Sequence, residues 1–223
     1  MNCINLLSSV HQELHLNSIN NKVLIILLHA FPLNSQMWKS QFKHLTQSGY
    51  SMLTLDYSGF GLSGVWGQTV TISDYSKLVF SSVQKLAVDS VVVVGLSMSG
   101  YIALDLYRSH PEIFSRLVLS NTKATADTEE TKKRRYSQID AIKENSSAHE
   151  IVHFHLDNFF LSETKTSNHK LIEFTEQMMR EATIKGIING LEAMAGRPDS
   201  LEILSTITFP VLIILGETDP FIP

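Results

Sequence analysis

The chain has a single cysteine, Cys3, so no internal disulfide can form and nothing in it calls for an oxidising compartment. It also has no long apolar run. The longest, residues 23–28, falls far short of the ~20 residues that cross a bilayer. The N-terminal stretch has no basic segment, and Ser, His and Gln interrupt its apolar residues, so no targeting signal is expected. Positive charge is not in excess: 18 Lys and Arg stand against 22 Asp and Glu, a net charge of -4. Binding nucleic acid by neutralising phosphates is therefore not expected. Internal repeats and low-complexity tracts are missing too. These absences point to a soluble, cytoplasmic protein with neither a membrane nor a nucleic-acid partner.

Apolar residues are plentiful. At 43% hydrophobic and 18% charged, 223 residues can bury a full core, which excludes a disordered chain. Five short runs stand out, at 23–28, 51–55, 91–94, 116–119 and 211–215, each bounded by Gly, Asn, Asp or Pro. Apolar runs without alternation suit strands covered on both faces, as in parallel sheets flanked by helices. Helical patterns fill the intervals at 35–48, 72–87 and 98–109, the last closed by His110-Pro111. The expected class is α/β, a mostly parallel sheet with helices on both faces.

That alternation stops after Leu119. From about Asn121 to Ala195 there are amphipathic stretches but no strand-like run, and a strand pattern returns only at Pro210. Some 75 helical residues between two strands far exceed a usual connection of about 2–6 residues. The expected organisation is a core over 1–120, a helical lid over 121–195 and a returning core segment over 196–223. Two ordinary crossover helices with a long loop are the alternative.

The run at 91–94 leads into Gly95-Leu-Ser97-Met-Ser99-Gly100 and then a helix. A sharp strand-to-helix turn pushes a side chain out where a reagent can reach it, and demands small residues two before and two after. Gly95 and Ser99 satisfy that demand around Ser97. The helix N-terminus supplies unpaired N–H groups and positive partial charge for a developing oxyanion. Ser99 is a poor rival, because bulky Tyr101 would occupy its small position. The alternative for Ser97 is a buried hydroxyl in a glycine-eased turn.

Around this elbow the sequence resembles the α/β-hydrolase superfamily over nearly its whole length. His29-Ala-Phe-Pro32 looks like the family's His-Gly-Phe-Pro oxyanion loop, and Asp56-Tyr-Ser-Gly59-Phe-Gly61-Leu-Ser63 matches its D-x-x-G-x-G-x-S turn. Tyr101-Ile-Ala-Leu, His110-Pro-Glu, Ala195-Gly-Arg-Pro-Asp-Ser200 and the segment from Pro210 to Asp219 follow in the family's order. The style is similar to small cofactor-free esterases and lactonases of the 3-oxoadipate enol-lactonase type. The resemblance implies Ser97 as nucleophile, backbone N–H groups of Phe31 and Met98 as the oxyanion hole, and Asp219 as the carboxylate orienting a catalytic histidine. It implies no cofactor and no metal, and a small ester or lactone as substrate. Some relatives carry the acid after the preceding strand, but Asn121 stands there and is neutral. Ala30 and Ser99 both replace a usual glycine of the family.

A third departure concerns the base. The family's order is Ser, acid, His, yet none of the nine histidines follows Asp219. The resemblance thus implies a C-terminally truncated hydrolase without its last strand, last helix and catalytic His, with a sheet edge exposed to pairing. A catalytically impaired or inactive remnant of the fold is the alternative function, because a serine without a base is a weak nucleophile. Lyase and perhydrolase reactions known among family relatives also stay open. His29 is expected to brace the oxyanion loop, and His110 to sit at a helix end. Histidines 149, 153, 155 and 169 lie in the expected lid, where sequence does not place them.

Three further patterns have plainer explanations. His149-Glu-Ile-Val-His153 fits the H-E-x-x-H zinc pattern, with Glu173 as a conceivable third ligand, but a lid helix with solvated histidines is the expectation. Lys132-Lys-Arg-Arg135 is expected on a solvated helix with pairs Glu129–Lys133 and Glu130–Arg134, rather than as an anion-recruiting patch. Met178, Met179, Leu191 and Met194 are expected to fill core rather than line a substrate pocket. Gly196-Arg197-Pro198 is expected to end a helix.

Overall fold

The computed structural model describes residues 9–17 and 22–222; Cys3 lies outside the described residues. The five apolar runs become strands β2 (Val23–Leu28), β3 (Ser51–Leu55), β4 (Ser90–Leu96), β5 (Phe114–Ser120) and β6 (Val211–Ile214). A strand the apolar pattern does not announce, β1 (Gln12–His15), runs antiparallel along β3. Its residues are mostly exposed, so its sequence carries no hydrophobic signal. The order is β1-β3-β2-β4-β5-β6, with every pairing after the first parallel.

Pleating explains the two-sided core. Leu24, Ile26 and Leu28 of β2 share one face with Leu53 and Leu55 of β3. Leu27 and Met52 point to the other, where Phe42 from helix α1 (Lys39–Gln47) meets them. Helices α2 (Ile72–Val83) and α3 (Met98–Ser109) cover the first face through residues such as Val79, Ile102 and Leu106. Helix α2 starts at a capping box: Thr71 Oγ1 accepts from Asp74 N–H, and Asp74 Oδ2 accepts from Thr71 N–H. It ends four residues short of the expected 87, where Leu86 and Val88 leave the helix to pack on the core. The 35–48 pattern also divides, into a 3-10 turn at Ser35–Trp38 capped by Asn34 and then α1.

Between β5 and β6 lie α4 (Glu129–Asn145), α5 (His149–Phe159), α6 (Ser162–Ser167), α7 (His169–Arg180) and α8 (Ile184–Ala195), followed by the short α9 (Leu201–Leu204). No strand interrupts them. Helix α8 seats on the turn after β3. Thr183 N–H donates to Gly59 O at 2.8 Å, and a Cβ on Gly59 (φ +80°) would come within 2.6 Å of Gly186 Cα. Met179, Leu191 and Met194 are buried in core clusters. Met178 is buried as well, but also lines the cavity described below, against the expectation of core filling alone.

The basic cluster is only partly solvated. Lys132 pairs with Glu129 at 2.8 Å, one position nearer than the expected Glu129–Lys133, and Glu130–Arg134 is not among the ion pairs of the described residues. Arg135 turns inward to Asp127, with Nε 2.6 Å from Oδ2. The other Asp127 oxygen lies 2.7 Å from Arg197 Nη1, and both Asp127 and Arg197 are buried. Arg197 therefore does more than stop a helix: it stacks over the Tyr101 ring at 3.9 Å and donates to the carbonyls of Met194 and Thr125.

Strand β6 is exposed along its whole length, with Leu212 at 55% and Ile213 at 64% on opposite faces. Among the described residues it pairs only with β5. No helix among them is long and apolar enough to cross a membrane.

Candidate active site

In a parallel sheet the segments leaving the C-terminal ends of adjacent strands share one rim. Strand β4 lies between β2 and β5, and β6 lies beside β5. The loop from His29 to Pro32, the elbow at Ser97, the end of β5 at Asn121 and the segment 216–219 therefore meet there.

Ser97 sits between β4 and α3 with φ 55° and ψ -116°, a conformation sparsely populated for a residue with a Cβ. Three hydrogen bonds hold it. Its N–H donates to Ser120 O at 2.9 Å, and its carbonyl accepts from Gly100 N–H at 2.9 Å and Thr122 Oγ1 at 2.8 Å. No hydrogen bond among the described residues engages Ser97 Oγ, and the residue faces a cavity of about 710 Å³. Ser99 differs in every respect. It is fully buried, its Oγ donates to His29 O, and it contacts Tyr57 OH at 2.7 Å. Gly95 must be small because an added Cβ would stand 2.5 Å from Ser99 O, a backbone atom of the same corner.

The Phe31–Pro32 peptide is cis. The Phe31 ring packs into the core against Phe60 and His155, and the Met98 side chain is fully buried. Their neighbours Ala30 and Ser97 line the cavity. Among the described residues neither the Phe31 nor the Met98 N–H donates a hydrogen bond, and the latter begins α3, where helical N–H groups have no internal acceptor. Asp56 braces the same loop from below, accepting from Ser35 N–H at 2.7 Å and Leu62 N–H at 3.0 Å. Asn34, also buried, donates to Glu181 Oε2 at 2.8 Å and so ties this loop to the end of α7.

Asp219 lines the cavity, and Asn121 holds it. The Asn121 amide donates to Asp219 Oδ2, while its Oδ1 accepts from Gly216 N–H at 3.0 Å. Asp219 Oδ1 accepts from Phe221 and Ile222 N–H at 2.7 and 3.1 Å. The sequence suggests Asn121 only as the wrong residue for an acid. Its bridging role depends on a contact 98 residues away, which no local pattern announces.

None of the nine histidines lines the cavity. His29 is fully buried with both nitrogens engaged, Nδ1 with Ala30 O at 3.0 Å and Nε2 with Tyr57 N–H at 3.1 Å. Burial pulls its pKa down, against the opposing pull of Asp56. His155, on α5, stacks on Phe221 and meets Phe31 edge-on, joining the segment after β6 to the loop after β2. Burial lowers its pKa to about 4, so it is neutral at neutral pH, and its Nδ1 contacts Ile151 O at 2.8 Å. His149 and His153 lie exposed on α5 with their Nε2 atoms 2.9 Å apart. Among the described residues no group of three or more His, Cys, Asp or Glu is placed to hold a metal ion.

Strand order, elbow and loop together match the α/β-hydrolase fold, and comparison with known proteins agrees. A family model described as the alpha/beta hydrolase fold matches residues 23–223, and the chain belongs to that family. It is similar to 3-oxoadipate enol-lactonase 1 of Acinetobacter baylyi, 27% identical over 93% of this chain and 76% of that protein. It is also similar to a 2-hydroxy-6-oxononadienedioate/2-hydroxy-6-oxononatrienedioate hydrolase of a Pseudomonas species, 23% identical over 96% of this chain and 78% of that one. Among solved structures, a thermophilic esterase from Thermogutta terrifontis superposes with a TM-score of 0.87 at 26% identity, covering 96% of this chain and 77% of the esterase.

Proposed function

We propose that the chain is a serine-type hydrolase of small carboxylic esters or lactones, with Ser97 as nucleophile. The observation that carries the reading is the strained serine at the strand-to-helix corner, its hydroxyl uncommitted and facing a cavity. In this reading Ser97 Oγ attacks the carbonyl carbon, and the Phe31 and Met98 N–H groups receive the oxyanion as the tetrahedral intermediate forms. Fixed dipoles suit that task because they need no reorganisation as charge develops. The alkoxide of the ester leaves and water then releases the acyl group from Ser97. Asp219, positioned by Asn121, orients the imidazole that takes the serine proton. In the family's order that imidazole follows the acid, and no histidine follows Asp219 in these 223 residues. The helices between residues 121 and 195 serve as a lid that closes the acyl side of the cavity.

The reading is supported by related hydrolases that cover most of this chain, including one named a lactonase. It is tested with an alkyl fluorophosphonate in excess, followed by peptide mass mapping. The expected adduct is on Ser97, absent in Ser97→Ala. Added free imidazole, supplying a base, is expected to raise hydrolysis of a short-chain aryl ester by wild type above that by Ser97→Ala. Equal modification of the two chains, or none on either with no imidazole-dependent difference, would overturn the proposal.

A further inference from the structure

We infer that the cavity selects substrates with an uncharged hydrocarbon acyl chain, because Asp157 keeps Lys165 from acting as a carboxylate receptor. The inference rests on Ser97 being the nucleophile and adds the substrate class. The charged side chains lining the cavity are Lys165, Asp157 and Asp219. Lys165 is the one cation among them, and it is already occupied: Nζ donates to the Asp157 carbonyl and lies 3.6 Å from Asp157 Oδ1. One ammonium against two carboxylates leaves the lining net negative. A substrate carboxylate entering there would give up hydration to meet a wall of its own sign.

The remaining surface is chiefly hydrocarbon. Leu33, Met37, Leu96, Phe160, Phe174 and Met178 face the cavity from both the core and the helices between β5 and β6. Asp219 offers no compensation, since Asn121 and two backbone N–H groups already engage its oxygens. An apolar chain displaces water from such walls favourably, and the two thioethers can adjust to its shape.

The pair also makes the selection adjustable. Asp157 lies near the end of α5 and Lys165 on α6, with side chains 76% and 34% exposed, so substitution of either leaves the core intact. Removing the Asp157 charge leaves one ammonium against one carboxylate. Removing the Lys165 charge deepens the negative bias.

The test uses two fluorophosphonates of equal chain length, one ending in methyl and the other in carboxylate, each normalised for its reactivity with a free nucleophile. In wild type the methyl probe is expected to modify Ser97 at least about tenfold faster. Asp157→Asn is expected to bring the ratio towards one, and Lys165→Gln to widen it, with both still modified by the methyl probe. If neither probe reacts at Ser97, the serine-hydrolase reading itself falls, and this inference with it. If both react and the carboxylate probe is as fast or faster, or if Asp157→Asn leaves the ratio unchanged, the serine reading stands and the selectivity is overturned.

Discussion

Replacing Asp127 by alanine is expected to lower the free energy of unfolding by about 3–5 kcal/mol, the usual result of removing one partner from a buried ion pair. The cost lies in what remains. Arg197 is 5% exposed, and without Asp127 its guanidinium keeps two carbonyl acceptors but loses the carboxylate in direct contact with it. Arg135 loses its 2.6 Å contact as well. The effect should reach the elbow helix, since Arg197 lies over the ring of Tyr101, four residues beyond Ser97. Urea unfolding of wild type and variant measures it, and a change under 1 kcal/mol would mean the triad is structurally idle. The same group gives a pH dependence. Burial pushes the Asp127 carboxyl up, but Arg135 and Arg197 outweigh it and hold the pKa below its ordinary value. A depressed folded pKa means the stabilisation is complete above the unfolded value of about 3.9 and is lost as pH falls through the folded one. Acid unfolding of wild type below about pH 4 should therefore include a component missing from Asp127→Asn.

Gly95→Ala is expected to slow fluorophosphonate modification of Ser97 by about a hundredfold, the scale on which a displacement of roughly 1 Å lowers reactivity. The methyl group would stand 2.5 Å from Ser99 O and 2.7 Å from Ser99 C. Both are backbone atoms, so no rotamer change relieves the clash. Either the corner opens, moving Ser97 away from the end of α3, or β4 shifts against β2. Overpacking of this kind also costs about 1–3 kcal/mol of stability. Gly67→Ala is the control, because an added Cβ there meets nothing within 4 Å. Equal modification rates for Gly95→Ala and wild type would show that the corner does not constrain the Ser97 hydroxyl.

The fold was legible because its central strands are covered on both faces and so read as unbroken Val, Leu and Ile runs. The corner at Ser97 was legible because a tight strand-to-helix turn restricts residue size at fixed offsets, a constraint local in sequence. What escaped was either solvated or distant. Strand β1 has polar, exposed residues and depends on β3 for its partner. Asn121 acquires its partner across 98 residues, and the Asp127–Arg197 pair spans 70. The expected Glu129–Lys133 pair failed because helical spacing states which side chains are neighbours but not which of several cations turns inward.

The two halves of this site stand on supports of unequal strength. Among the described residues the strand leading to Ser97 is flanked on both sides by other strands, whereas Asp219 follows a strand of four residues whose pairing is with β5. In the mechanism proposed above, local opening of that pairing would move Asp219 away while Ser97 stays in place, separating the two groups without melting the molecule. Amide hydrogens of β6 should accordingly exchange with solvent deuterium far sooner than those of β4, and the gap between the two rates would measure how often Asp219 is displaced.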